Sequence, residues 1–188
     1  MTPTPRPARL AAAASLGLLV ASAALARDVT PFAARAGLET ARAGAIAWAP
    51  DAHLVYLEND EAVDEHGATP RWGYLFYSPG QDKLRAYSIR DGKIVAAEFV
   101  EMQLEAPPLE AHWIDSGEAL AAAERGAGAR FRHEHRGRLK TMLLMRGAFD
   151  EQHPDATTWT FVYASPEGPS LFVVVDAQDG AVRRTWRG

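Results

Sequence analysis

Trp72-Gly73-Tyr74-Leu75-Phe76-Tyr77-Ser78-Pro79 returns later in the chain as Trp159-Thr160-Phe161-Val162-Tyr163-Ala164-Ser165-Pro166. In both stretches a Trp opens, aromatic residues fall at every second position, and a Ser-Pro pair closes. A two-residue side-chain period is that of a strand, so Trp72, Tyr74 and Phe76 share one face and Gly73, Leu75 and Tyr77 the other. Each copy is followed at nearly equal distance by a turn dipeptide, Asp91-Gly92 and Asp179-Gly180, and then by another apolar run. Asp-Gly suits a two-residue hairpin because both central positions need φ > 0. Two copies of one strand–turn–strand phrase predict an internal repeat. The alternative is two unrelated hairpins that share turn and core chemistry.

Upstream of the first copy the pattern is helical. Thr30 is placed as an N-cap with Pro31 at the first helical position, and Leu38, Ala41, Ala45 and Trp48 recur on one face. Gly37 and Gly44 each weaken such a helix by about 1 kcal/mol relative to Ala, so it must lean on packing. Pro50 closes it, His53 to Glu58 forms a strand, and an acidic loop runs from Asn59 to Arg71. After the Trp72 strand, Leu84 to Ile89 and Lys93 to Glu101 complete a four-stranded meander, and Ala106-Pro107-Pro108 marks a boundary.

The second half repeats the plan. Asp115 and Glu118 have capping-box spacing. Ala119, Leu120 and Ala123 share a face, and Gly126 and Gly128 are expected to stop the helix. A basic stretch, Arg130 to Arg138, leads to strands at Leu139 to Met145, Trp159 onward, Leu171 to Asp176 and Ala181 to Trp186. Both inter-strand loops carry acids before a His, Asp64-Glu65-His66 and Asp150-Glu151-Gln152-His153. The expected fold class is α+β, two tandem helix-plus-antiparallel-meander repeats at residues 27–105 and 113–188 joined by a linker at 106–112. A unit of about 75 residues is near the lower limit for burying its own core, so the two should pack together.

The N-terminus reads as an export signal. Arg6 and Arg9 precede an apolar run from Leu10 to Leu25 that ends on Ala24-Leu25-Ala26, small residues suited to signal peptidase. The run is about 16 residues, short of the roughly 20 that span a bilayer. Cleavage after Ala26 would leave 188 − 26 = 162 residues and, with Arg6 and Arg9 gone, a formal charge of −4 − 2 = −6. The expected location is the periplasm or the extracellular medium, with no stable membrane anchor after cleavage. An acidic balance argues against a nucleic-acid partner. The chain has no Cys, which excludes disulfides and thiolate metal ligands.

The second half carries a more specific pattern: Trp113-Ile114-Asp115-Ser116, Ala119-Leu120, Ala123-Glu124, the Gly126/Gly128 break, Phe131-Arg132 and the Trp159 strand. It closes on Leu171-Phe172-Val173-Val174-Val175-Asp176-Ala177-Gln178-Asp179-Gly180-Ala181-Val182. In these residues the chain resembles the PepSY-like group of exported bacterial proteins. The first half matches more loosely, since Tyr87-Ser88-Ile89-Arg90-Asp91-Gly92-Lys93-Ile94 lacks the Asp-Ala pair. The resemblance implies a small exported helix-plus-sheet module that binds or restrains peptidases or other extracytoplasmic proteins, with no catalytic residues to carry over.

Candidate sites are few. His133-Glu134-His135 has two imidazoles two residues apart, which meet on one side only of an extended backbone, and zinc would need a further ligand. Flanked by Arg130, Arg132, Arg136 and Arg138, the pair belongs to a basic segment, and Arg130, Arg132, His133, His135 and Arg136 form a candidate docking surface for an acidic partner or anionic lipid. Trp72 and Trp159 are candidates for a ligand groove, with core packing as the alternative. Glu58, Asp60, Glu61, Asp64 and Glu65 have charge for calcium but not the spacing of a calcium loop. A meander also leaves edge strands to which an extended peptide can add. No Gly-x-Ser-x-Gly, His-Glu-x-x-His, phosphate-loop or dinucleotide motif is present. The expectation is a non-enzymatic binding module without cofactor, whose partner is an envelope or extracellular protein or peptide. The alternative is a carrier of a small ligand or metal.

Overall fold

The structure is a computed structural model that describes residues 29–101, 107–147 and 153–188. The expected signal segment, residues 1–26, Ala106 and the stretch Asp150-Glu151-Gln152 lie outside these. Helix α1 (Ala34–Trp48) buries Ala34, Leu38, Ala41 and Ala45, the face that the helical spacing marks out. It begins later than Thr30, because Phe32 is held extended in a two-way backbone bridge with Thr69. Its N-cap, Ala33, has no capping side chain. The second half supplies the caps instead: Ser116 Oγ accepts the Ala34 N–H at 3.1 Å and Asp115 Oδ1 accepts the Arg35 N–H at 3.1 Å. Free donors of a first turn need acceptors, and here they come from about 80 residues away.

Four strands follow, β1 (His53–Asn59), β2 (Arg71–Ser78), β3 (Lys83–Arg90) and β4 (Lys93–Val100). Burial alternates strictly along β2, with Trp72, Tyr74, Phe76 and Ser78 inside. Asp91 and Gly92 both have positive φ, 50° and 67°, as the tight hairpin requires. The second set is β5 (Arg138–Arg146), β6 (Thr157–Ser165), β7 (Gly168–Asp176) and β8 (Val182–Arg187). Its last turn is longer than the first: Gly180 (φ 74°) donates to the Asp176 carbonyl, and Asp176 donates to Ala181.

The two meanders form one antiparallel sheet of eight strands in the order β4-β3-β2-β1-β5-β6-β7-β8. The seam is β1 against β5, with Tyr56 opposite Met145, Leu57 opposite Leu144 and Glu58 opposite Leu143. Trp72 and Trp159 meet over this seam, ring centroids 6.3 Å apart and edge to face, both with 0% exposure. Each donates its indole N–H to the carbonyl two residues before its own helix, Trp72 to Phe32 at 2.7 Å and Trp159 to Ile114 at 2.9 Å. Helices of both halves therefore share one face of the sheet and one core.

The second helix does not stop at Gly126 and Gly128. Helix α2 (Ser116–Ala123), capped by Asp115, runs through a π-turn (Glu124–Gly128) into α3 (Ala129–His135), and ends at Arg136 in the left-handed region (φ 51°). Gly128 serves packing, since a Cβ there would meet Tyr163 Oη at 2.4 Å. Glu124 accepts that hydroxyl at 2.9 Å. Among the described residues no helix is long and apolar enough to cross a membrane.

Candidate binding surface

Both helices cover one face of the sheet, and the opposite face of the first half carries a groove whose shape follows from register. Across the strands one row runs Leu143, Glu58, Gly73, Ser88, Ala96 and the next runs Met145, Tyr56, Leu75, Ala86, Glu98. Small residues at Gly73, Ala86 and Ser88 leave a trough, which Tyr56, Leu75 and Met145 wall. It encloses about 450 Å³. Gly73 also allows a carboxylate to lie on the sheet: a Cβ there would meet Asp60 Oδ1 at 2.7 Å.

The groove is apolar with an acidic end. Asp60 Oδ2 accepts the Ser88 hydroxyl at 2.6 Å and lies 3.3 Å from Arg71 Nε. Glu58 Oε2 accepts the Tyr56 hydroxyl at 2.7 Å. Burial, reinforced by Glu58, pushes that phenol well above its ordinary range, so Tyr56 stays a neutral donor at any physiological pH. Arg90 pairs with Glu61 outside the lining. The site offers shape, charge and hydrogen-bond acceptors.

The two edges of the sheet differ in kind. β4 is an edge of eight residues whose Ile94, Val95 and Phe99 are 40%, 50% and 56% exposed. Ile94 and Phe99 lean toward α1, Phe99 edge-on to Trp48 at 5.8 Å. β8 instead reads Val182-Arg183-Arg184-Thr185-Trp186-Arg187. Charges along an edge strand discourage pairing with another chain, and a hydrophobic edge invites it.

The basic segment is split by its helix. Arg132 turns toward Glu124, bonded at 2.8 Å, and Arg136 lies 3.5 Å from Glu167. Arg130 and His135 line a different depression with Phe131, Trp186 and Arg187, where Arg187 Nη1 sits 3.2 Å from His135 Nε2. His133 and His135 are two apart on a helix and point away from each other. Among the described residues no three His, Asp or Glu side chains gather as a metal site. Trp72 and Trp159 are wholly interior, so neither forms a recognition surface. Of the acidic loop, Asp64 accepts the His66 and Ala68 N–H groups and so shapes a turn, whereas Glu58 and Asp60 face the groove. Their position depends on cross-strand register, which no local pattern reveals. The alternation that puts Gly73 and Leu75 on the second face of β2 is the one sequence signal for it.

No family model matches the chain, and no curated protein matches it. Among solved structures it is similar to the crystal structure of a "putative lipoprotein" from Clostridium difficile 630, with 14% identity and a TM-score of 0.55 over 80% of this chain and 92% of that one. At this identity the likeness shows the fold alone.

Proposed function

We propose that this chain is an exported, non-enzymatic binding module that takes an extended segment of an envelope or extracellular protein onto the β4 edge. The observation that carries the reading is the contrast between the two edges: six of the eight residues of β4 are apolar, with Lys93 and Glu98 the charged ones, while three of the six in β8 are arginines. Strand addition draws its affinity from main-chain hydrogen bonds and its selectivity from alternate side chains. Ile94, Val95 and Phe99 supply the second element. Export is supported by the basic-then-apolar N-terminus and fits the lipoprotein name of the similar structure. Peptidases enter as a partner class through the PepSY-like pattern of the second half.

The test is site-specific photo-crosslinking in cells. A photoreactive side chain at Val95 should give an adduct with one defined envelope protein, and the same group at Thr185 on β8 should not. Equal adducts at both positions, or none at Val95 across several growth conditions, would overturn the reading. Mass spectrometry of the adduct reports whether the partner is a peptidase.

A further inference from the structure

We propose that the groove on the helix-free face is a separate site for a small organic amine with an apolar body, an alkyl- or arylammonium ion. Its volume, about 450 Å³, falls within the size range of small-molecule sites. Val55, Leu75, Ala86, Val100 and Met145 give it an apolar floor and walls. The charged residues of the lining are Glu58 and Asp60, of one sign. The nearby cations stand behind the lining rather than in it: Arg71 is 3.3 Å from Asp60 and 3.7 Å from Glu61, and Arg90 pairs with Glu61. Among the described residues Glu58 has no ion pair, and Tyr56 donates to Oε2 while Oε1 remains for a further donor.

That charge pattern selects the occupant. Filling the groove removes water from Glu58 and Asp60, and a desolvated carboxylate is costly unless a donor or cation replaces the water. An ammonium group does so, a hydroxyl does so in part, and a carboxylate adds repulsion. The long axis of the trough then receives the hydrocarbon. A side chain from a peptide on β4 is a poorer fit. The row from Glu58 to Gly73 lies two to three strands inboard of β4, about 10 Å or more at the usual strand spacing, beyond the reach of one side chain. The groove touches β4 at Val100, but the carboxylates that hold the amine lie on β1 and just after it, so the amine site and the pairing edge use different groups and either can fail without the other.

The experiment titrates the purified protein with heptylammonium, heptanol and heptanoate by calorimetry, and locates binding by amide chemical shifts. Heptylammonium should bind saturably, shift Gly73, Ala86 and Ser88, and bind about tenfold or more tighter than heptanol. Heptanoate should not bind. Glu58→Gln should bring the amine close to the alcohol, and Ala86→Phe, which fills the trough, should abolish both. Thermal unfolding confirms that each variant is folded, and the Val95 crosslink should persist in both. Absence of saturable amine binding, equal affinity for amine and alcohol, or amine binding that survives Ala86→Phe would overturn the proposal.

Discussion

Trp72 and Trp159 occupy matching places, each tied by its indole N–H to the chain just ahead of its helix and each touching the other. Replacing either by Ala should cost about 3–5 kcal/mol in denaturant unfolding. Because the rings are in contact, the double variant should deviate from additivity by about 0.5–3 kcal/mol; additive losses would mean two separate cores. Asp51 gives a pH-dependent case. It accepts the Ser78 hydroxyl at 2.7 Å and the Gly80 N–H at 2.5 Å, and these bonds hold its carboxyl below the ordinary 3.8. A lowered folded value means that the stabilisation is complete above the unfolded pKa and fades as pH falls through the folded one. The thermal midpoint should therefore drop more steeply for the native protein than for Asp51→Asn as the pH falls below the ordinary 3.8.

Among the elements, the α2–α3 rod sets a general rule against a local one. Gly128 would end a helix on its own merits, yet the rod runs through it, and the residue is glycine because Tyr163 occupies the space of a Cβ. Gly128→Ala gains about 1 kcal/mol of helix propensity but forces Tyr163 from its place, and overpacking of this kind costs about 1–3 kcal/mol. Net destabilisation is expected in denaturant unfolding, because Cζ of Tyr163 as well as Oη stands within 2.6 Å of the new methyl. Asp115 shows the same dependence on distant partners. It caps its own helix through the Ser116 N–H at 2.7 Å and α1 through Arg35. Asp115→Ala should cost about 2 kcal/mol, the upper end of the range for one cap, with faster hydrogen exchange in the first turns of both helices. Loss confined to α2 would mean that the shared cap contributes nothing to α1.

At the level of the whole molecule, what the sequence made legible was whatever one unit decides alone. The alternation in Trp72 to Ser78 and in its later copy places both aromatic faces correctly, and Asp91-Gly92 adopts its hairpin geometry. Pairings across strands and between halves were not legible: the β1–β5 seam pairs Tyr56 with Met145, the α1 caps come from Asp115 and Ser116, and the groove depends on Glu58 meeting Gly73 on the neighbouring strand. Such pairings leave no local periodicity, because either partner reads as an ordinary strand, cap or loop residue by itself. The joined sheet leaves one outer edge to each unit, one mostly apolar and one rich in arginine. Placing a charge on the apolar edge probes the binding reading at its root. Val95 is half exposed, so Val95→Lys should leave the melting temperature within a few degrees, since a surface change falls within about 0.5 kcal/mol. The measurement is co-purification of the protein partner identified by the Val95 crosslink. A stable variant that no longer retains that partner is the predicted result, and a stable variant that retains it undiminished would contradict docking at β4.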